Sequence, residues 1–359
     1  MFRVFRGSNA FVVRFKYKNQ RFPIVSLPRI TIVTISYNQA EFLEETLRSV
    51  IEQDYPNLEY IVIDGGSTDG SVEIIRKYSD EIDYWISEPD SGQSAAINKG
   101  FARATGELGT WINSDDVLIP GALQRIGKAW GNRETHLSAK VAKLQADETH
   151  EKFSQKETRG TKDERAEDRR PEAIIICGDA YHFQVNAEHT GPTGPNLEHY
   201  IRLADISLEN LVCYWREACS WEQPAIFFPL ELYRQVGGVD EDQHIAMDYD
   251  LFCRIFQHAE AVYVNEPVVR IRRHAEAKTC KWNYRTWMVN KEISKRYWAK
   301  VPGGVNRKEF ANAFCGHCLT QARIRARRHD WRAAAELLRA ALKESPAATL
   351  KKLIGTARR

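Results

Sequence analysis

Three polar segments of the sequence combine residue types that bind nucleotides, phosphates and metal ions. They are Ser36-Tyr37-Asn38, the acidic and glycine-containing stretch 64–69, and Asn113-Ser114-Asp115-Asp116. In the second segment, Gly65 and Gly66 permit a tight turn and a close approach of backbone to a ligand, while the Asp64 carboxylate can accept from a ribose hydroxyl or a base N–H. The sequence has neither a GxGxxG after its first strand nor a glycine loop ending in GK[ST]. It therefore indicates a nucleotide site of another type.

The adjacent carboxylates of Asp115 and Asp116 are the sharpest of these signals. Like charges repel and their desolvation costs free energy, so a counter-cation is expected beside them. Hard oxygen ligands of this kind suit Mg²⁺ or Mn²⁺ shared with a diphosphate. The alternative is an aspartate that caps a helix beginning near Pro120. The two other polar segments favour the metal–diphosphate interpretation.

The elements that must position these segments alternate along the chain. Short β-branched runs predict strands at 30–36, 58–64, 83–87 and 107–113, and amphipathic or short helices are predicted between them. This alternation predicts βαβ units and a parallel sheet. Because ligands of such sheets bind outside the carboxyl ends of the strands, we expect the three polar segments to meet in one crevice.

Composition sets wider limits on the class of protein. The chain has 359 residues, of which 43% are hydrophobic and 28% charged, as in a globular protein of two domains or one large domain with additions. It has no apolar run near 18 residues and no apolar signal segment at its start, so we expect neither a membrane span nor a secretory leader. Seven scattered cysteines favour a reducing compartment, and the Cys315–Cys318 spacing within predicted helices favours buried cysteines over a redox or zinc site.

Charge is distributed unevenly although the net charge is only +3. Residues 1–29 carry seven Lys/Arg and no acid, and residues 321–359 carry eleven Lys/Arg against three acids. Basic ends favour contact with an anionic surface, most simply a membrane leaflet, or they merely aid solubility. Residues 131–172 hold twenty charged residues, ten of each sign, and predict an exposed helix or a disordered insertion.

Regular patterning resumes after the insertion. We predict strands at 173–183 and 223–228, a helix from Asp248 to Ala259 and an extended segment at 261–274. After Lys281 the pattern is helical. A helix near 331–343 is apolar on one side and basic on the other, so it either lies on lipid or packs on the preceding helix.

Six blocks of the sequence, in order, resemble the inverting glycosyltransferases of family 2. These blocks are SYNQAEFLEETLRSVIEQDYPNLEYIVIDGGSTDGS, EPDSGQSAAINKGF, WINSDDVLIPGAL, QPAIFFPLELYRQVGGVDE, MDYDLFCRI and RIRRHAEAKT. The resemblance implies an α/β fold of the GT-A type over residues 29–279, with 1–28 as a basic extension and 280–359 as a C-terminal helical region. It also implies transfer of a sugar from a nucleotide-diphosphate sugar, most commonly a UDP-sugar, to a hydroxyl of a carbohydrate or lipid-linked acceptor.

The resemblance assigns roles to individual residues of this chain. The nucleoside, usually uridine, would be held by Ser36, Tyr37, Asn38, Asp64, Ser67, Asp69 and Asn98. The Mg²⁺ or Mn²⁺ ion would be held by Asp115 first, Asp116 second, and His274. The diphosphate or the acceptor would be met by Asn113, Gln223, Arg272 and Arg273. The metal ion and the nearby basic side chains would neutralise the charge of the diphosphate leaving group. A carboxylate is still needed to take the proton from the acceptor hydroxyl.

Asp248 matches the family's general base. As alternatives, Asp248 caps its helix, or Asp250 two residues later is the base. One departure from the pattern is Ala95, which stands where similar sequences carry an aspartate near the sugar or ribose. Because this aspartate is absent, a second hypothesis stays open, namely that the protein binds nucleotide sugars without catalysing transfer. The family setting implies bacterial surface-polysaccharide or glycolipid assembly, either in the cytoplasm or peripherally at the inner face of the membrane. It implies no nucleic-acid partner.

Overall fold

The first half of the chain folds as alternating strands and helices, as the sequence predicts. The computed structural model describes residues 27–135, 173–184, 199–216, 221–274 and 277–357. The first four strands are β1 (Ile30–Ser36), β2 (Leu58–Asp64), β3 (Tyr84–Ser87) and β4 (Leu108–Asn113). Between them lie helices α1 (Ala40–Ile51), α2 (Ser71–Lys77) and α3 (Gln93–Arg103). β1 pairs with β2 and β4, and β2 with β3, all in parallel.

Burial explains these assignments. β1 is buried along its whole length, as expected of a central strand covered on both faces. α1 buries Leu43, Leu47 and Val50 on one side, which is the face that the sequence predicts. α3 lies close against β1, since a Cβ added at Gly100 would stand 2.4 Å from Val33 Cγ1.

The second half extends this sheet with mixed strand directions. Its elements are β5 (Val117–Leu118), α4 (Ala122–Gly131), β6 (Ala173–Gln184), β7 (His199–Ile201), α5 (Leu208–Val212), β8 (Ile226–Pro229), α6 (Leu230–Gln235), α7 (Met247–Ile255) and β9 (Ala259–Arg273). The described strands follow the order β3-β2-β1-β4-β8-β6-β9-β5, and β7 pairs with β6. β8 is antiparallel to both β4 and β6, whereas β6 and β9 form a long parallel pair. The α/β class is confirmed, and the parallel sheet predicted from the sequence is confined to β1–β4 and the β6–β9 pair.

Two predicted boundaries are wrong. The strand predicted at 223–228 begins only at Ile226, because Gln223–Ala225 form a 3₁₀ turn. Pro224 has no N–H to give to a strand ladder, which fits its place in that turn. The helix predicted to continue to Ala259 ends at Ile255, and Ala259 already begins β9.

Residues from Lys278 onward are helical. They form α8 (Lys278–Tyr297), α9 (Arg307–Arg327), α10 (Trp331–Glu344) and α11 (Pro346–Ala357). α8 docks on the sheet domain through Ser294 Oγ, which donates to Val212 O at 2.8 Å. Cys315 and Cys318 lie buried in α9, which confirms their interpretation as helical core cysteines.

Several predictions fall outside the described residues. These are the basic extension up to residue 26, most of the charged insertion at 131–172, and the GPTGP loop at 191–195. Within the described ranges, no helix has the length and apolarity needed to cross a membrane.

Candidate active site

The carboxyl ends of the first four strands lie in register. Ser36 of β1 pairs with Asp64 of β2, Asp64 pairs with Ser87 of β3, and Asn113 of β4 pairs with Ile35. The polar segments that follow β1, β2 and β4 therefore begin at one edge of the sheet, as the sequence predicts.

Asp64 shapes the loop that follows β2. Its Oδ2 accepts from the N–H of Gly66 at 3.1 Å and of Ser67 at 2.9 Å, and from Ser87 Oγ at 2.6 Å. The remaining oxygen accepts from Ser67 Oγ, and the residue is fully buried. In this conformation Asp64 offers no exposed oxygen to a ribose or a base, because four donors within the protein already use it.

The loops after β1 and β2 are tied to each other. Asn38 donates its N–H to Ser67 Oγ at 2.8 Å, and its Oδ1 accepts from Thr68 N–H at 2.9 Å. Asn38 has a left-handed φ of 51°, which asparagine adopts more readily than most residues. Beside it the Tyr37 ring is 64% exposed at the edge of the crevice. The Ser36 hydroxyl is buried and has no hydrogen-bond partner in the described structure. The exposed tyrosine ring and the Ser36 hydroxyl are the free groups of this loop.

Asp69 joins the β2 loop to two helices. Its carboxylate accepts from Ala40 N–H at the start of α1, at 2.9 Å, and from Ser71 N–H and Oγ at the start of α2, at 3.1 and 2.6 Å. Burial acts to raise the pKa of Asp69, but these hydrogen bonds outweigh it and hold the pKa below the ordinary value. Asp69 is therefore a helix-capping anion that sets the position of α1 relative to the loop.

The two adjacent aspartates after β4 face different surroundings. Asp116 is 3% exposed, and its oxygens accept from Arg272 N–H and from Asn113 Nδ2, each at 3.1 Å. Burial and the neighbouring Asp115 charge raise the pKa of Asp116 well above its ordinary value. Asp116 thus serves the loop itself, which does not fit its prediction as a second metal ligand. The α4 N-cap is Gly121, so neither aspartate caps that helix.

Asp115 instead meets His274. Its Oδ2 lies 2.9 Å from His274 Nε2, and both side chains keep some exposure, 20% and 12%. The His274 ring rests against the Phe42 ring, with centroids 4.9 Å apart. Arg272 donates Nε to Asp115 O at 2.9 Å and pairs with Glu45. Arg272 thus positions the loop, and it does not present the free cation expected for a diphosphate.

Asp115 and His274 would supply one oxygen and one nitrogen ligand to a divalent metal ion. Their facing atoms are 2.9 Å apart, which is the length of a direct hydrogen bond. The carboxylate oxygen suits Mg²⁺ or Mn²⁺, and a neutral imidazole nitrogen is a common metal ligand. The described residues contain no group of three or more acidic, histidine or cysteine side chains that could hold a metal. The remaining ligands would have to come from a bound molecule and water.

Asp248 lies at the second position of α7 and is half-buried. Burial raises the pKa of Asp248 and the Glu222 charge raises it further, while backbone N–H groups and the Trp221 side chain act in the opposite direction. The helix N-cap is Ala246, so Asp248 is not the cap. Its rival Asp250 is 4% exposed and is paired with Arg254 at 2.9 Å and Arg296 at 3.5 Å. Asp250 therefore has a structural role, and Asp248 is the carboxylate available for chemistry.

The sequence did not single out Glu222, whose charge acts on residues of two separate segments. It contributes to the raised pKa of both Asp248 and Asp116, so it lies within electrostatic range of each. Its Oε1 is 2.8 Å from His182 Nε2, and the His182 ring is 2.9 Å from Arg273 Nη2. Glu222 directly precedes Gln223 and Pro224. That position was the one sequence signal from which its role could have been suspected. Nothing in the sequence around His182 indicated this role.

Two predicted site residues are engaged elsewhere. Gln223 is buried and donates Nε2 to Trp111 O at 2.6 Å, which anchors the turn before β8 to β4. Asn98 Oδ1 accepts from Tyr233 OH at 2.6 Å and Val239 N–H at 3.0 Å. The Asn98 amide nitrogen donates to Val239 O and Glu241. Its polar atoms are all in use, which does not fit the predicted contact with a nucleotide.

An open pocket lies between the first turn of α3 and the loop before α7. It is lined by Ser91, Gly92, Gln93, Ser94, Glu241, His244 and Met247. Gln93 also donates to Asn113 Oδ1 at 2.9 Å, so the pocket adjoins the polar segment 113–116. Ala95 stands in this first turn of α3, and the Glu241 carboxylate brings a negative charge to the same pocket from another segment.

Comparison with protein families identifies this arrangement. Residues 31–188 match the sequence model of glycosyl transferase family 2. This match covers less than half of the chain, and over those residues the chain is similar to the family 2 glycosyltransferases. The matched region includes the polar ends of β1, β2 and β4, while Asp248 and His274 lie beyond it.

Curated relatives are glycosyltransferases by name. The chain is 25% identical over 253 residues to an uncharacterized glycosyltransferase of Rickettsia prowazekii, covering 70% of this chain and 66% of that protein. It is 38% identical over 93 residues to a Bacillus subtilis protein named for teichuronic acid biosynthesis, TuaG, covering 25% of this chain and 36% of that protein. The aligned regions thus span less than two thirds of these relatives.

Solved structures of low sequence identity also match. Residues 1–349 of Staphylococcus aureus TarS in complex with UDP align at 13% identity and a TM-score of 0.45, covering 91% of this chain and 92% of that one. The mannosyltransferase PcManGT from Pyrobaculum calidifontis, in complex with GDP-Man and Mn²⁺, aligns at 18% identity and a TM-score of 0.45. The alignment covers 92% of this chain and 80% of that one.

Proposed function

We propose that the protein transfers a sugar from a nucleotide-diphosphate sugar to a hydroxyl acceptor with inversion at the anomeric carbon. One observation carries the proposal. The Glu222 charge acts both on Asp248 and on Asp116, which directly follows the Asp115 that contacts His274. The similarity to family 2 supports the reaction class, and this geometry supports the assignments below.

The donor would bind along the ends of β1, β2 and β4. Tyr37 offers an exposed aromatic face and Ser36 a hydroxyl without a protein partner, while Asp64, Ser67 and Asp69 hold the loop in shape. Uridine is the nucleoside that we expect. Asp115 and His274 would hold Mg²⁺ or Mn²⁺, which when bound neutralises the diphosphate leaving group as a Lewis acid.

Asp248 would act as the general base. Its carboxylate takes the proton from the acceptor hydroxyl while that oxygen attacks the anomeric carbon from the face opposite the leaving group. The new carbon–oxygen bond forms as the bond to the diphosphate oxygen breaks, which inverts the configuration. The raised pKa of Asp248 makes it a stronger base than an exposed aspartate, and general-base catalysis contributes about 10²–10⁴-fold.

The acceptor class follows from the relatives more than from the geometry. TuaG, which is named for teichuronic acid biosynthesis, leads us to propose a carbohydrate or lipid-linked acceptor in envelope polysaccharide assembly. The cytoplasmic side of the membrane is the corresponding location.

A thermal-shift panel of nucleotide sugars with and without Mn²⁺ tests the donor site. A ligand at about 100 times its Kd stabilises the protein by about 2.7 kcal/mol, which a melting curve resolves. We expect a metal-dependent shift with a single UDP- or GDP-sugar, followed by formation of a glycosylated product. Absence of a shift with every donor in the presence of metal would overturn the proposal.

A protein that binds nucleotide sugars without turnover is the second candidate, and Ala95 is the observation that favours it. The first turn of α3 lacks the carboxylate expected there. Donor binding without product, under conditions where the metal-dependent shift is present, would favour this candidate.

A further inference from the structure

The C-terminal helices carry apolar side chains on their outward sides. On α10, Trp331 is 65% exposed and Leu338 and Leu342 are also exposed. Spacings of seven and four residues place these three on one side of the helix. On α11, Leu350 and Ile354 are 52% and 56% exposed, and Leu353 lies beside them. Single exposed apolar residues are ordinary, but a stripe of them on each of two helices that contact each other is typical of an interaction site.

A basic stripe runs beside the apolar one. On α10, each of the three exposed apolar residues is followed directly by an exposed basic residue. These basic residues are Arg332, Arg339 and Lys343. On α11, exposed Lys351 follows Leu350 in the same way. Each apolar row is therefore bordered on one side by positive charge.

The opposite sides of these helices are occupied. α10 buries Ala333, Leu337 and Ala341, and its closest helical neighbour is α9. α11 buries Thr349 and also packs against α9, where its Lys352 approaches Gly316. The sequence left open whether the helix near 331–343 packs on the preceding helix or lies on lipid. Since its packed face and its exposed apolar stripe are on different sides, the helix is able to do both.

The acidic side chains of this region lie close to basic side chains of the protein. Asp330 caps α10 and lies 3.8 Å from Arg325, and Glu336 lies 3.5 Å from Arg332. Glu344 is bound by Lys295 at 2.7 Å. The outward surface therefore has an excess of positive charge beside exposed leucine, isoleucine and tryptophan side chains.

We propose that the outward faces of α10 and α11 are a docking surface for a membrane leaflet containing anionic lipid. Apolar side chains would enter the boundary between headgroups and acyl chains, and the bordering Arg and Lys would contact lipid phosphates. A second copy of this chain is a poorer occupant, because face-to-face pairing would set the basic stripes against each other. The basic segment 1–29 of this chain is a poor occupant for the same reason.

Flotation of the full chain with lipid vesicles tests this surface. Phosphatidylcholine vesicles with added phosphatidylglycerol should bind the protein at low salt, and phosphatidylcholine alone should bind it weakly. Each basic residue in contact with the surface contributes about fivefold to partitioning, so the double variant Arg339→Gln, Lys343→Gln should lose about 25-fold. The double variant Leu338→Gln, Leu342→Gln should lose at least tenfold.

Matched control variants distinguish loss of this surface from a general loss of positive charge and from a loss of folding stability. Arg332 pairs with Glu336 four residues later, as Arg48 pairs with Glu52 on α1, and both arginines are well exposed. Arg332→Gln should weaken vesicle binding and Arg48→Gln should leave it unchanged, with equal melting temperatures. The thermal shift given by the nucleotide sugar should be the same in all these variants, so failure here is distinct from failure of the proposed function.

Three results would overturn the proposal. The first is the absence of vesicle binding by the unaltered chain. The second is binding that persists in the Leu338→Gln, Leu342→Gln variant, which would place the contact elsewhere, such as in residues 1–29. The third is a concentration-dependent dimer in sedimentation that the same leucine changes abolish, which would assign the surface to a second copy.

Discussion

His274 Nε2 lies 2.9 Å from Asp115 Oδ2, although the two residues are 159 positions apart in the chain. Next to Asp115, Asp116 instead accepts from the backbone N–H of Arg272, two residues before His274. The end of β9 therefore engages both aspartates, one through a side chain and one through the backbone. The two neighbouring carboxylates thus have different partners, an imidazole ring for Asp115 and a backbone N–H for Asp116.

Substitutions at these two positions should separate function from stability. Asp115→Asn should abolish the metal-dependent part of the donor thermal shift, with little change in the melting temperature of the free protein. Asp116→Ala leaves the N–H of Arg272 and the amide of Asn113 without an acceptor in a buried site. It should lower the free energy of unfolding by about 1–3 kcal/mol for each buried donor left unpaired. Chemical denaturation measures this loss, and equal stability of the two variants would contradict the division of roles.

Asp248→Asn should abolish transfer and also stabilise the free protein at neutral pH. The pKa of Asp248 lies above its ordinary value of 3.8 in the folded protein, so folding favours the protonated form. The stability associated with that protonation is complete below the ordinary pKa and is lost as the pH rises through the folded-state pKa. The asparagine amide stays neutral, so the variant does not lose this stability as the pH rises. Its Tm should therefore exceed that of the unaltered chain at neutral pH but not at low pH.

A control for this prediction lies two residues away. Asp250→Asn weakens the pairs with Arg254 and Arg296 and should lower the Tm at neutral pH. Transfer by Asp248→Asn at an unchanged rate would remove Asp248 from the role of general base.

Glu222→Gln should shift the pH profile of transfer. The Glu222 charge contributes to the raised pKa of Asp248, so its removal should lower that pKa. Since the base must be ionised, the acidic limb of kcat/KM should move to lower pH. Glu231→Gln, at an exposed position of α6, is the control and should leave the limb in place. An unmoved limb in Glu222→Gln would show that its charge does not reach the base.

His317 should make the helical region sensitive to acid. Its ring stacks on Trp287 with centroids 3.8 Å apart, and burial lowers its pKa to about 4. A histidine whose pKa is lowered by folding contributes stability that is present at neutral pH and lost as the pH falls from its ordinary value of 6.5 towards 4. His317→Gln should flatten the dependence of the Tm on pH in that interval, whereas His329→Gln, at an exposed position, should not.

The parts of the structure that follow from local pattern were predictable. β1 and β2 begin and end at the predicted residues, because β-branched runs bounded by polar residues define buried strands. The meeting of their ends followed from parallel topology alone. The strand predicted at 223–228 was wrong in its first residues because Pro224 and its neighbours form a turn whose anchor, Trp111 O, is 112 residues away.

The roles of individual polar residues depended on partners that are distant in sequence. Asn98, Gln223 and Arg272 have the residue types of a binding site, yet each holds one part of the chain against another. His182 and Glu222 are 40 positions apart in the sequence and become neighbours through the packing of the turn before β8 on β6. Such pairings are determined by tertiary structure, and a single sequence does not display them.

The β6–β9 strand pair also has a consequence for the order in which the molecule assembles. This parallel ladder joins residues about 86 positions apart and carries His274 to Asp115. Long-range parallel pairing is slow, because chain entropy is lost before the contacts form. During synthesis, the residues of β1–β4 emerge well before β9 and His274. The strands whose ends carry the polar segments are therefore available for pairing before the Asp115–His274 contact is able to form.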